Sequence, residues 1–293
     1  MSDLLSHLLG TLRLQARILY IGGVCGPWRL DTSGSGLATF HLVARGQAWL
    51  TAAQYPAPVA LGAGDLVLFP RDAAHAITAQ QAGCEVVARD QFVDLGTGDV
   101  DVLCGAIELL DGQGHPVLAA LPEVVVIGAT QAQATTCHIA EILRDESLQA
   151  LPGRDVLVAR LAEALFILAA RECLTRSDAR GVLAGIAEPR LHRALAALHA
   201  EPQRAWTLEA LARTAGMSRT AFAVAFHRRL GTTAMDYLLQ WRMRIAGELI
   251  IEEADSVEEI AHRVGYESAA SFIRAFTRVH GVTPGRFARR KHE

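Results

Sequence analysis

The chain has 293 residues, 28 Lys+Arg against 31 Asp+Glu, a formal net charge of −3, five cysteines and 51% hydrophobic residues. At roughly 100–200 residues per domain this is chain enough for two buried cores, which excludes a disordered tail and a small disulfide-held scaffold. Cys25, Cys84, Cys104, Cys137 and Cys173 are scattered, odd in number and without CxxC spacing, which speaks against a secreted disulfide framework or a structural zinc site and for a reducing, cytoplasmic setting.

The first residues, MSDLLSHLLG, lack a basic segment followed by a continuous apolar stretch, and no window approaches the ~18 apolar residues of a membrane span. A soluble, unprocessed protein without a membrane partner is expected. From about residue 15 to 130 short apolar runs (ARILYIGG, ATFHLVARG, QAWLTA, DLVLFP, CEVVARDQFV, DVLCGAIELL) alternate with Gly, Pro and Asp clusters, the texture of an antiparallel sandwich or barrel. After VVVIGA the period changes. HIAEILRDESLQ and RDVLVARLAEALFILAAREC place apolar residues at i, i+3, i+4 and i+7, as amphipathic helices do. The second offers more apolar surface, at Leu157, Leu161, Leu165, Phe166 and Leu168, than one core-facing stripe needs, which fits a homodimer interface or a helix packed between domains. TRSDARGVLAGIAEP, with two glycines and a proline, reads as a linker.

From Glu188 onward the pattern is helical and repeats. Leu211-Ala212 and Gly216 align with Ile260-Ala261 and Gly265 at an offset of 49, and Phe222, Phe226, Gly231 and Thr233 align with Phe272, Phe276, Gly281 and Thr283 at an offset of 50. Each copy predicts a short helix with a small residue at its centre, a glycine turn, and a second helix anchored by two Phe residues one turn apart, which is a helix-turn-helix. MDYLLQWRMRIAGELII joins the two copies. Charge follows the same division: residues from Ile186 on hold sixteen Lys+Arg and twelve Asp+Glu, a net of +4, and the first 185 carry −7. A basic half with two such units points to double-stranded DNA.

The stretch from about Glu188 to Lys291, above all IAHRVGYESAASFIRAFTRVHGVTPGRFARR, resembles the DNA-binding domain of the AraC/XylS family of bacterial transcription regulators. The resemblance implies two helix-turn-helix units reading adjacent major-groove segments. In the first, Ser218 is the expected N-cap and phosphate contact, and Arg219, Thr220, Ala223, Val224 and His227 are the expected DNA-facing positions. Family members often carry Gln or Arg where this chain has Ala223 and Val224, so this unit is expected to lean on shape, apolar contacts and phosphates. In the second, Arg274 projects opposite Phe272 and Phe276 and is expected to read a guanine, a contact worth ~1–3 kcal/mol of discrimination. Ser268 and Ser271 are expected phosphate contacts. Arg242, Arg244, Arg263 and Arg278 are either longer-range anchors or solvated surface.

GDLVLFPRDAAH gives Gly64, Pro70 and His75 a G-x5-P-x4-H spacing that resembles the second motif of the cupin barrel, and FHLVARG resembles a remnant of the first. His41 and His75 are the candidate metal ligands that this implies, but Val43 replaces the second histidine and no glutamate follows, so satisfied structural histidines are the competing reading and no cofactor is assigned. VCGPWRL, GDLVLFP and VLCGAIEL are most similar to the reactive-chlorine-sensing subgroup of AraC/XylS regulators, in which the positions of Cys25 and Cys104 form an oxidation-sensitive pair. Redox sensing there, small-molecule sensing in the barrel and an unresponsive scaffold all stay open. Cys137 and Cys173 are expected in the core.

The expected fold class is thus α+β in two domains: a cupin-like β-barrel sensor over 1–135, amphipathic packing or dimerisation helices over 136–176, a linker over 177–187 and an all-α domain with tandem helix-turn-helix units over 188–293. The expected function is a dimeric, sequence-specific transcription regulator, in the sense of an activator, with DNA, an oxidant or small-molecule effector and RNA polymerase as partners and no enzymatic activity. The alternative is a metal-dependent cupin oxygenase or isomerase with an accessory helical domain.

Overall fold

The computed structural model describes residues 3–80, 92–93, 97–109, 115–128, 134–149, 151–252 and 256–290. They divide into two compact units. One, Leu12–Gln113 with Leu121–Ser177, holds the strands. The other is helical and is assembled from three stretches of chain: the residues up to Thr11, the segment ending at Ala120, and everything from Asp178 onward. The first and second stretches fall inside the span 1–135 expected for the sensor but pack with the helical unit instead.

In the strand unit, β1 (Leu14–Val24), β2 (Arg29–Leu30), β3 (Ala38–Arg45), β4 (Gln47–Ala52), β5 (Val59–Gly62), β6 (Leu66–Phe69), β7 (His75–Thr78), β8 (Phe92–Val93), β9 (Val100–Leu109) and β10 (Val125–Ile127) form two sheets. Their orders are β10-β6-β3-β9-β1-β8 and β2-β7-β4-β5, antiparallel at every pairing. Among the described residues they do not close into the expected single barrel. Most of the expected run CEVVARDQFV, with Cys84, lies outside the described residues.

Val43, Val67, Phe69 and Val102 of the six-stranded sheet and Ala48, Leu50, Leu61 and Ile77 of the other fill one core together with Trp28. Alternate residues of the larger sheet, Phe40, Leu42, Leu66, Leu68 and Leu103, are buried on its other face. That is why β3 is buried at every position from Ala38 to Val43: both its faces are covered. The cover comes from α3 (Ala134–Gln149) and α4 (Arg154–Thr175), which pack on β1, β3 and β10.

The helical unit holds α1 (Leu4–Gly10), α2 (Pro116–Ala120), α5 (Gly181–Ala187), α6 (Pro189–Ala200), α7 (Leu208–Ala215), α8 (Arg219–Leu230), α9 (Ala234–Glu252), α10 (Val257–Arg263), α11 (Ala269–His280) and α12 (Pro284–Arg290). The stretch 177–187, expected as an open linker, carries α5, whose Val182, Leu183 and Ala184 are buried; its glycines serve close packing, since a Cβ on Gly185 would meet Leu195 at 2.7 Å. Helix α1 joins this unit because Leu4, Leu5 and Leu8 are buried and pack towards α6.

The sequence repeat is a repeat of caps. Thr207 and Ser256 cap α7 and α10, and Ser218 and Ser268 cap α8 and α11, each accepting a backbone N–H from three residues on. Gly216 and Gly265 turn the chain with φ of +67° and +86°, and Gly231 and Gly281 end α8 and α11 in the same left-handed region. At Gly265 a Cβ would also lie 2.4 Å from the Gln203 carbonyl oxygen. Gly265→Ala is therefore expected to cost about 1–3 kcal/mol through backbone strain and overlap. Urea unfolding of the full chain checks it: an unchanged midpoint would mean that the turn relaxes freely.

Candidate DNA-binding surface and buried histidine pair

Helices α8 and α11 are seated alike. Phe222 and Phe226 are buried with ring centroids 5.5 Å apart, and Phe272 and Phe276 are buried 5.6 Å apart. Tyr237 of α9 closes on Phe226, and Phe287 of α12 closes on Phe276. At about 100° of turn per residue, position 224 is opposite the midpoint of the first Phe pair and position 274 opposite that of the second. Both Val224 and Arg274 are exposed.

Most of the expected DNA-facing residues are accessible. Ser218 before α8, Arg219, Thr220 and His227 on it, and Ser268, Arg274 and Arg278 on or before α11, are exposed, and Ala223 and Ser271 are half-buried. The two serines of the second unit are engaged with each other: the Ser268 hydroxyl accepts the Ser271 N–H at 3.3 Å, and the Ser271 hydroxyl donates to the Ser268 carbonyl at 2.8 Å. Two of the expected arginine anchors prove to be structural. Arg242 donates to the carbonyls of Pro202 and Arg204 at 2.7 and 2.8 Å and tethers the turn before α7. Arg244 pairs with Glu248 and donates to the Thr11 carbonyl at 3.1 Å, with its guanidinium over the Trp241 ring. Arg263 and Arg278 remain on the surface.

In the strand unit His41 and His75 converge. His41 sits on β3 opposite Cys104 of β9, and His75 starts β7 in the other sheet. Their Nε2 atoms are 2.9 Å apart, and the Thr32 hydroxyl is 3.1 Å from each. His75 stacks on Phe69 at 3.5 Å. Its Nδ1 is 2.7 Å from the Ala73 carbonyl, which can only accept, so Nδ1 carries the proton and Nε2 is bare. Cys104 lies with its Sγ 2.9 Å from His41 Nδ1, and burial pushes its thiol up to about 12. It is a thiol at neutral pH and donates to His41, whose Nε2–H then donates to His75. One directed chain runs from Cys104 through His41 and His75 to Ala73 and leaves every ring nitrogen satisfied.

A metal ion fits this arrangement poorly. Two imidazoles on one zinc at 2.0–2.1 Å keep their nitrogens about 3.3 Å apart, wider than the 2.9 Å between the two Nε2 atoms here. Among the described residues no group of three His, Cys, Asp or Glu could hold a metal ion. Thr32, in the loop after β2, is the member of the cluster that no spacing in the sequence marked.

Cys25 follows the last residue of β1, and the ladder pairs Val24 with Val100, four residues along β9 from Cys104. Four strand residues span about 13 Å, beyond the roughly 7 Å between Cα atoms that a disulfide allows. Cys25 is half-buried and Cys104 buried, and both are free thiols. Cys173 is buried as expected, and Cys137 is half-buried.

The helical unit holds its own histidines. His199 Nε2 is 2.8 Å from the Tyr237 hydroxyl, its ring packs on Trp241 at 4.3 Å, and His115 Nε2 is 3.2 Å from the Thr11 hydroxyl. Burial first, then the nearby Arg244 and a neighbouring histidine, pushes both down to about 3, and burial with His75 does the same for His41. A histidine with a depressed folded pKa takes its proton more readily when unfolded, so its stability is lost as pH falls below about 6.5 and on towards the folded value. Thermal unfolding from about pH 7.5 to about pH 5 should show a falling midpoint, with a limiting slope of about 1.4 kcal/mol per pH unit per histidine. A flat profile would show that these rings are hydrated.

Comparison with known proteins assigns both units. A cupin family profile matches residues 3–175 and a helix-turn-helix domain profile residues 211–290. An AraC-like transcription regulator of Streptomyces lividans is 32% identical over 91% of both chains. The RCS-specific HTH-type transcriptional activator RclR of Escherichia coli is 31% identical over 78% of this chain and 76% of its own, and the HTH-type transcriptional regulator AlkR of Acinetobacter baylyi 29% identical over 96% and 97%. Among solved structures, the DNA-binding domain of AdpA in complex with a target DNA is 28% identical over 34% of this chain and 90% of that one, with a TM-score of 0.33. The relatives are regulators, which disfavours the reading as a cupin enzyme. The chain belongs to the AraC-like DNA-binding transcription regulators, with a cupin domain ahead of its helix-turn-helix domain.

Proposed function

We propose that α7–α8 and α10–α11 act as tandem helix-turn-helix units, placing α8 and α11 in adjacent major-groove segments, and that the protein is a cytoplasmic activator working with RNA polymerase. The observation that carries the groove-reading part of this is Arg274, exposed and opposite a buried Phe pair on a doubly capped helix. Ser218, Arg219, Thr220, Ala223, Val224 and His227 serve the first unit, and Ser268, Ser271 and Arg278 flank Arg274. Arg274→Ala should weaken specific binding by about 1–3 kcal/mol and relax base preference at one position. Footprinting checks it, and a footprint unchanged in strength and sequence would falsify the assignment.

A homodimer through α4 is part of the same reading. Leu157 is exposed, and Leu161, Ala164 and Leu168 are half-buried, at the alternating four- and three-residue steps of a coiled-coil seam. Exposed Val156 widens the stripe.

For the sensor, the proposal is that the cluster around His41, His75 and Cys104 responds to an oxidant or a small molecule. On the oxidant reading, hypochlorous acid oxidises the more accessible Cys25 thiol to a sulfenic acid with release of chloride and a proton. The Cys104 thiol then displaces water to form the disulfide. Because the β1–β9 register separates the two thiols, this step needs that end of the ladder to open, and the altered sheet is the signal. Treatment with hypochlorous acid should give a Cys25–Cys104 linked peptide in mass spectrometry together with a change in DNA binding. If binding changes while both thiols stay free, the response belongs to another residue or to a ligand.

A further inference from the structure

Val224 and Arg274 occupy the same place in the two copies, fifty residues apart and each opposite its Phe pair. We propose that the two helices read different base chemistry: α8 takes a thymine C5-methyl group against Val224, and α11 takes a guanine through Arg274. The inference rests on the reading of α8 and α11 as DNA-facing helices.

Val224 is among the most exposed large apolar side chains of the described residues, at 61%. One turn before it stands Thr220, which adds a methyl group, and beside it Ala223. This small apolar face has no side-chain acceptor or donor reaching outward except the Thr220 hydroxyl. It is bordered by exposed His227 and Arg228, and Arg219 and Arg229 are exposed further round the same helix. Such a rim suits a polyanion and disfavours burial against a second protein surface, where the guanidinium groups would be desolvated. In the major groove the apolar group at a base edge is the thymine methyl, and a valine offers nothing to a guanine or cytosine edge. The second copy has Ala270 in place of Thr220 and Arg274 in place of Val224, so its outward position is a bidentate donor. With one apolar and one cationic reader, the two units are not interchangeable on DNA, and the bound site has a direction.

The test uses the full chain on its footprinted site with single-atom changes in the DNA. Each thymine is replaced in turn by deoxyuridine, which removes only the methyl, and each guanine by 7-deazaguanine, which removes the N7 acceptor. Expected are about a fourfold loss at one thymine, the worth of one methyl withdrawn from water, and about a tenfold loss at one guanine in the neighbouring half. The uracil penalty should vanish in Val224→Ala and the deazaguanine penalty in Arg274→Ala, with thermal midpoints unchanged because both positions are on the surface. Val224→Arg should exchange the thymine preference for guanine at the same position. Uracil insensitivity at every position, or a uracil penalty that persists in Val224→Ala, overturns the inference while guanine sensitivity keeps the DNA reading intact. Loss of self-association in Val224→Ala with unchanged DNA affinity also overturns it, in favour of a protein contact. Absence of any sequence-specific binding overturns the DNA-facing assignment itself.

Discussion

Everything the helical unit presents outward depends on two pairs of phenylalanines. A helix of twelve residues is marginal on its own, and its orientation is set by what it buries. Phe222 with Phe226, and Phe272 with Phe276, each fix one face of a helix into a core, so the residue between them can only point away. Serine caps at one end and left-handed glycines at the other then fix where each helix starts and stops. The rotational setting of α8 and α11 follows from these contacts before any DNA is considered.

In the strand unit the organising polar feature is a chain of donors and acceptors between two sheets. Burial holds the Cys104 thiol protonated, and protonation is what makes it a donor to His41. The same burial that satisfies the cluster therefore suppresses the thiolate, the species that reacts with oxidants. Any reactivity at Cys104 requires solvent to reach a side chain that is buried here. A response located there couples chemistry to opening of the core, and the strands it would loosen are β3, which carries His41, and β1, which ends just before Cys25.

Much of this was legible in the sequence, for physical reasons that differ by region. The helical repeat showed itself because caps, turn glycines and buried aromatics each permit few residue types, so Gly216/Gly265 and Phe222/Phe272 recur in register. His41 and His75 converged as their motif spacing implied. Arginines were harder: Arg242 and Arg244 look in sequence like Arg274, yet the first two spend their donors on backbone carbonyls and a glutamate. Only three-dimensional proximity separates a structural guanidinium from one left in water. The disulfide distance was hidden for the same reason, since it depends on which residues of β1 and β9 pair. α5 was missed because Gly181 and Gly185 read as breakers, and close packing needs glycine as much as a turn does.

The helical unit takes its pieces from separate parts of the chain, with α1 preceding the main body by the whole length of the strand unit and α2 coming from within that length. A ribosome releases the chain from its N-terminus, so α1 must wait, its leucines without a partner, until α6 has been made. Strands β1, β9 and β10 are complete well before that. The strand unit can therefore fold around its histidine chain during synthesis, and the helical unit is finished last, after the strand unit already exists.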